Sequence, residues 1–301
     1  MHDIIVVGGG PAGLTAAIYA LRAGKSVLVI EKDGFGGQIA YSPKVENIPG
    51  VKVISGTEFA DKLTDQAMAL GADVELETVV GVDGEGPIKT VFTEEGAYEA
   101  KALILAVGVK HRMLGLPGEQ ELLGHGVSCC AVCDGAFYAG QDVAIIGGGN
   151  SALQEAMLLS EICSKVTVVQ NLADFTGEKK LAEALMEKEN VTALFNTVVT
   201  AYESENGVVS GLRLRNEQTG EESQIKVSGA FLAVGLKPEN EPFAQVAQLN
   251  EWGYFEVGED CRTETLGVFV AGDCRSKGIR QVVTAASDGA IAAMAACRYL
   301  D

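Results

Sequence analysis

The sequence predicts an α/β protein built from two Rossmann-like, three-layer dinucleotide-binding domains. Two observations carry that prediction. The chain opens on a strand–glycine loop–helix–strand–acid unit, and much of the same unit recurs later. The first loop glycine moves from position 8 to position 147, an offset of 139 residues. Repetition at that distance means two related folds, in tandem or nested.

The first unit reads in order. Asp3 to Val7 form a short apolar strand bounded by Gly8. Gly8-Gly9-Gly10-Pro11-Ala12-Gly13 then matches G-x-G-x-x-G. Gly8 makes the tight turn, Gly10 lets a pyrophosphate approach, and Gly13 lets helix and strand pack closely. A helix over Leu14 to Ala23 presents unpaired N–H groups and a positive dipole end to the phosphates. The strand Ser26 to Ile30 ends in Glu31, placed to receive ribose hydroxyls.

The second copy comprises the strand Asp142 to Ile146, the loop Gly147 to Ala152, a helix to Glu161 and the strand Val166 to Val169. Matching strand ends, Ile104 to Gly108 and Phe231 to Gly235, support the repeat. Here the strand end is Gln170-Asn171-Leu172-Ala173-Asp174. An NAD site places an acid at this point, and an NADP site places arginines for the 2′-phosphate. Gln170 is either a weak ribose ligand or the mark of a fold that no longer uses a nicotinamide dinucleotide.

Composition narrows the partners. Lys and Arg number 23 against 41 Asp and Glu, a net charge of −18. So acidic a chain lacks the cationic surface that nucleic acid and anionic lipid require. The apolar run Ile4 to Leu21 is interrupted by glycines, follows no basic leader and precedes no cleavage pattern, so the expected location is cytoplasmic. Glycine, at 37 of 301 residues, exceeds the usual share of about 7%.

Seven cysteines in such a chain argue against a structural disulfide framework. Cys130 and Cys133 form C-x-x-C just before the second dinucleotide strand. No second pair or spaced histidines complete a zinc site, so redox chemistry is favoured and no metal is expected. Asp134, directly after the pair, is either a proton carrier for thiol–disulfide exchange or a turn carboxylate. Cys129 and the scattered cysteines read as packing.

Together these residues resemble the low-molecular-weight thioredoxin reductase family over nearly the whole chain. Gly36-Gly37-Gln38, Glu46 to Gly50, Cys130 to Asp134, Gly267 to Asp273 and Arg280-Gln281-Val282 carry the likeness. The resemblance implies an FAD-binding domain from 1–112 and 243–301, with a second domain, 113–242, inserted into it. Pro117-Gly118 and Lys237 to Asn240 are expected hinges. Gly8, Gly10, Pro11, Ala12 and Gly13 are implied to hold the FAD pyrophosphate, and Glu31 the adenosine ribose. Gly37, Gln38, Asn47, Arg280, Gln281 and Val282 are implied to approach the flavin. Gly272 and Asp273 end a strand, Val268 to Ala271, and Asp273 is implied to meet a ribityl or phosphate-linked hydroxyl; otherwise it caps a helix.

The family's mechanism sends two electrons from FAD to the Cys130–Cys133 disulfide and on to thioredoxin. Cys133 is implied to be the flavin-proximal sulfur, Cys130 the attacking one, and the inserted domain must rotate between its two partners. A homodimer is implied as well. The strand end at Gln170 departs from the NADPH-dependent pattern and is similar to a subgroup that takes electrons from reduced ferredoxin. That donor is the expectation here, with NADPH or NADH as the alternative and a flavin redox sensor as a further one. Ferredoxins are acidic, so docking needs a local basic patch; Lys110, Arg112, Arg275, Lys277 and Arg280 are its candidates.

Overall fold

The computed structural model describes residues 1–42 and 45–301. The chain forms two compact units, Met1–Lys110 with Lys237–Asp301, and His111–Leu236. In the first, β1 (His2–Val7) leads through the glycine loop into α1 (Pro11–Arg22) and back to β2 (Val27–Glu31). The helix starts three residues before the predicted Leu14, because Pro11 occupies its first turn with φ already set for a helix. A second crossover adds α2 (Gly56–Ala69) and β3 (Asp73–Leu76); β4 (Val79–Asp83), β5 (Lys89–Thr93) and β6 (Ala97–Leu105) follow as antiparallel neighbours.

The strand β7 (Lys110–His111) carries the chain into the second unit. There α3 (Glu119–Leu122), β8 (Val127–Ser128) and α4 (Ala131–Asp134) precede the second dinucleotide unit. That unit is β9 (Asp142–Ile146), α5 (Asn150–Ile162), β10 (Lys165–Val169), α6 (Lys179–Met186) and β11 (Val191–Leu194). Next come β12 (Thr197–Glu205), β13 (Val208–Asn216), β14 (Glu222–Lys226) and β15 (Gly229–Leu232). The chain returns through β16 (Leu236–Lys237) and ends in β17 (Val268–Val270) and α7 (Val282–Leu300).

The sheet of the first unit runs β3-β2-β1-β6-β5-β4. Its centre is parallel, with Ile5 opposite Leu28 on one side and Leu103 on the other. One edge of β6 is shared: Ala100 faces Lys89 of β5, while Leu103 faces Val268 of β17. The continuous apolar run of β1 feeds two cores. Ile4 and Val6 pack among α1 and α7 residues, whereas Ile5 and Val7 join the cluster containing Phe243 and Phe255. A strand buried on both faces cannot alternate in polarity. The second unit holds a parallel sheet, β11-β10-β9-β15-β8, and a separate antiparallel sheet, β12-β13-β14.

The units divide at Lys110/His111 and Leu236/Lys237 rather than at 112/113 and 242/243. Lys237 to Asn240 does not form a loose hinge throughout. Asn240 is fully buried, and its Nδ2 donates to the carbonyls of Gly253 (2.8 Å) and Cys274 (3.0 Å), which stitches this stretch into the first unit. Pro117-Gly118 is likewise a turn inside the second unit: the next residue, Glu119, is buried and accepts the N–H groups of Leu114 (3.1 Å) and Gly115 (2.8 Å).

Candidate functional site

The glycine loop of the first unit forms an anion cradle. Gly8 sits at φ 107°, in the left-handed region, and donates its N–H to the Ile30 carbonyl at 2.8 Å. A side chain at Gly13 would overlap the Gly8 carbonyl, so helix and loop close only on glycine. Gly10 is the N-cap of α1 and offers no side chain to cap its first turn. Those N–H groups remain for an anionic ligand. Glu31 braces the loop: Oε2 accepts the Gly9 N–H at 2.6 Å, and Oε1 accepts those of Lys32 (2.9 Å) and Asp33 (3.0 Å).

A second wall comes from Gly36, whose N–H donates to the Gly9 carbonyl at 2.7 Å. This brings Gly37 against Gly10. Gln38 donates to the Val109 carbonyl, and Asn47 Nδ2 donates to Gln281 Oε1 at 3.1 Å. Residues from opposite ends of the chain therefore meet within one unit. Gln281 caps α7 through a reciprocal bond pair with Thr284, and Val282 is the first helical residue. The helix-cap alternative for Asp273 is thereby removed.

Asp273 instead lies in the turn after β17. Its Oδ1 is buried without a hydrogen-bond partner among the described residues. Burial pushes the carboxyl up to about 6, against the pull of Lys277 and Arg280. A buried acceptor left unpaired costs free energy unless a ligand donor meets it. The cradle, the braced Glu31 and this orphaned oxygen fit FAD. A ligand hydroxyl that pairs with the ionised carboxylate binds best when Asp273 is charged. The dissociation constant of FAD from the apoprotein should therefore rise as pH falls below about 6, and flavin fluorescence titration across pH measures it.

The loop behind Asp273 rests on a residue missed in the sequence. Asp288 of α7 is 3% exposed. Its Oδ2 accepts the Gly272 N–H (3.0 Å), Arg275 Nε (2.8 Å) and Lys277 Nζ (2.9 Å), and its Oδ1 accepts Arg275 Nη2 (3.0 Å). The signal was a lone acid in the Ala-rich stretch Val282 to Cys297. This corrects the basic patch. Arg275 and Lys277 are turned inward, Arg280 lies 4.3 Å over the Tyr254 ring, and Lys110 pairs with Glu239 at 3.3 Å.

In the second unit Cys130 and Cys133 are joined by a disulfide, their Cα atoms 5.3 Å apart. Cys130 is the N-cap of α4, and its Sγ accepts the Cys133 N–H at 3.2 Å. Ser128, a second residue the sequence did not single out, organises the pair. Its Oγ donates to Asp134 Oδ2 at 2.6 Å and accepts the Cys130 N–H at 3.1 Å. The other oxygen of Asp134 is buried and unpartnered among the described residues. Burial raises its pKa, and the Ser128 bond lowers it in part. Cys129 is partly buried, and burial followed by the charges of Glu119, Glu155 and Asp134 pushes its thiol up to about 12. An uncharged thiol is a poor nucleophile.

The second glycine loop borders a cavity of about 640 Å³. Its lining includes Gly147 to Ser151, Gln170, Asn171 and Thr176, and among the described residues contains no charged side chain. Gln170 is 3% exposed, crowds Gly148, and donates from Nε2 to the Asp174 carbonyl at 3.1 Å. Thr176 and Gly177 donate their N–H groups to the Gly148 carbonyl at 2.8 and 3.0 Å. Asn150 Oδ1 accepts the Glu178 N–H at 2.6 Å. The segment after β10 thus folds over the loop, and part of its polar capacity is already met.

Comparison with known proteins agrees with this construction. The pattern of the family described as "Pyridine nucleotide-disulphide oxidoreductase" matches residues 2–289. The thioredoxin reductase of Bacillus subtilis (strain 168) is 40% identical over 301 residues, covering 100% of this chain and 95% of that protein. The bifunctional thioredoxin reductase/thioredoxin of Mycobacterium leprae (strain TN) is 44% identical over 305 residues, covering 100% of this chain and 66% of that protein. The crystal structure of thioredoxin reductase from Streptococcus pyogenes MGAS5005 superposes with a TM-score of 0.95 at 37% identity, covering 100% of this chain and 98% of that one. With a dinucleotide cradle in one unit and a C-x-x-C disulfide in the other, the chain belongs to the low-molecular-weight thioredoxin reductases of the pyridine nucleotide-disulphide oxidoreductase family, an FAD-binding group.

Proposed function

We propose that the protein is a thioredoxin-disulfide reductase whose electron donor is reduced ferredoxin. The observation that carries the donor is the cavity of the second unit, whose wall, among the described residues, holds no charged side chain. NAD sites place a carboxylate on the ribose and NADP sites an arginine on the 2′-phosphate. Gln170 stands at that point, and its Nε2 donates to the Asp174 carbonyl. Thioredoxin as the acceptor is supported by the reductase relatives, one of which is named as joined to a thioredoxin.

FAD, when bound, supplies the ability to accept electrons singly and release them as a pair. Gly8 to Gly13 would hold its pyrophosphate, Glu31 its ribose, and Asp273 a hydroxyl; Gln38, Asn47, Arg280, Gln281 and Val282 would approach its flavin. Two electrons and two protons convert the Cys130–Cys133 disulfide to a dithiol. The Cys130 thiolate attacks one sulfur of the thioredoxin disulfide, releasing the other as a thiolate; Cys133 then attacks Cys130 Sγ of that mixed disulfide and expels the second thioredoxin sulfur. Two electrons leave with the thioredoxin dithiol, and the enzyme disulfide is restored. Asp134, with one buried oxygen unpaired, holds and returns a proton in this exchange.

Among the described residues no helix is long and apolar enough to cross a membrane. A cytoplasmic homodimer is proposed from the family resemblance. Anaerobic mixing tests the donor. The flavin absorbance should persist with micromolar NADPH or NADH and bleach with reduced ferredoxin; rapid bleaching by either nucleotide would overturn the ferredoxin reading.

A further inference from the structure

Glu155 is a partly buried carboxyl that the exchange described above leaves without a function. It lies on α5, and its Oε2 accepts the Ala131 N–H at 3.0 Å. Ala131 is the first residue of α4 and follows Cys130 directly. A helix four residues long has little cooperativity of its own. An external acceptor on its first N–H therefore fixes the turn that carries both cysteines. Burial raises the pKa of Glu155 and the Ala131 N–H lowers it.

The neighbouring elements are poor in positive charge. The segment before α4 brings Cys129, and α4 with the turn after it brings Cys133, Asp134 and Tyr138. On α6, Lys179 is exposed and pairs with Glu183 at 3.7 Å; Lys180 precedes Leu181 on the same helix. Asp142 of β9 and Lys165 of β10 are exposed strand-end residues. The charge on Glu155 reaches the cysteine segment, since it is among the groups that raise the Cys129 thiol.

We propose that Glu155 is a positioning residue for the redox pair: it sets the first turn of the C-x-x-C helix through the Ala131 N–H, and its charge governs how readily the reduced pair forms a thiolate. This rests on the assignment of Cys130 and Cys133 as the exchanging sulfurs. The sign follows from Coulomb repulsion. Burial brings Glu155 up to about 7, so it carries its charge above that pH and loses it below. The ionised carboxylate opposes a nearby thiolate, and the neutral acid does not. The two titrations are coupled, so each group raises the pKa of the other.

Alkylation separates this from a purely structural contribution. The reduced, FAD-loaded protein is treated anaerobically with iodoacetamide across a pH series, and adducts at Cys130 and Cys133 are quantified by peptide mass. In Glu155→Gln the midpoint of Cys130 alkylation should fall by about half a pH unit or more, because the opposing charge is gone. Glu155→Asp keeps the charge but is one methylene shorter. Its midpoint should stay near the wild-type value, while the exchange rate with thioredoxin drops about tenfold through lost positioning. Superposed Gln and wild-type profiles overturn the proposal, as do equal shifts in Gln and Asp. Should the Gln variant fail to retain FAD, an unchanged exchange rate in the Asp variant overturns it. A wild-type protein that does not reduce thioredoxin would sink the functional reading and leave the alkylation result standing.

Discussion

Cys133→Ser is expected to abolish thioredoxin reduction, by more than about 10³-fold, while FAD stays bound. Losses of at least this size follow removal of the nucleophile from a covalent exchange. The disulfide joins Cys130 to Cys133, and a serine oxygen forms no such bond. The FAD cradle belongs to the other unit, at Gly8 to Gly13, Glu31 and Asp273, so the substitution removes none of its groups. Flavin absorbance and a thioredoxin-coupled disulfide assay on one preparation check both halves. Retained turnover would refute the assignment. Cys129 does not substitute, because burial and three neighbouring carboxylates hold its thiol at about 12, and little of it is thiolate at neutral pH.

Asp288→Ala should destabilise the FAD unit by about 3–5 kcal/mol, the usual consequence of removing one partner of a buried ion pair. The carboxylate satisfies Arg275 twice, Lys277 once and the Gly272 N–H once; its loss leaves that N–H unpaired, Arg275 with Glu259 (3.1 Å) and Lys277 with Asp273 Oδ1 at 3.9 Å. A fall in melting temperature on the order of 10 °C is the expected readout. FAD affinity should fall as well, since Gly272 and Lys277 flank Asp273. Burial by itself would raise the pKa of Asp288, but Arg275 and Lys277 outweigh it and hold the carboxyl below its ordinary value. A depressed acid contributes stability that is present above its unfolded pKa and lost as pH falls through the folded one. The gap between wild type and variant should thus persist at neutral pH and close only in acid below about 4.

Much of the fold was legible because its signals are local. Asp3 to Val7 is apolar without interruption, Gly8 to Gly13 carries its glycines at fixed spacing, and the same grammar returns at Gly147. Those features follow from chain geometry within about thirty residues. The C-x-x-C disulfide was legible for the same reason, as both partners sit in one turn of chain. Element ends were less so. Pro11 and Asn150 start their helices earlier than hydrophobic periodicity indicated, because the first turn of a helix need not present an apolar face.

What escaped the sequence depends on residues far apart in the chain. Nothing in the order of residues shows that Arg275 and Lys277 turn inward onto Asp288; taken as surface charge, they counted toward a docking patch from which packing withdraws them, leaving Lys110 and Arg112 exposed. Nor does the order show that Glu155 reaches Ala131 across 24 positions, or that Asn47 meets Gln281 across 234. The sequence alone determined two dinucleotide folds, a redox-active cysteine pair and a strand end at Gln170 without a charged reader. Tertiary structure decided which polar groups are paired and which are left open, such as Asp273 Oδ1 and Asp134 Oδ1. The physical reason is that strand, loop and helix follow from short-range sterics and hydrogen bonding, whereas desolvation and charge pairing arise only when distant segments exclude water together.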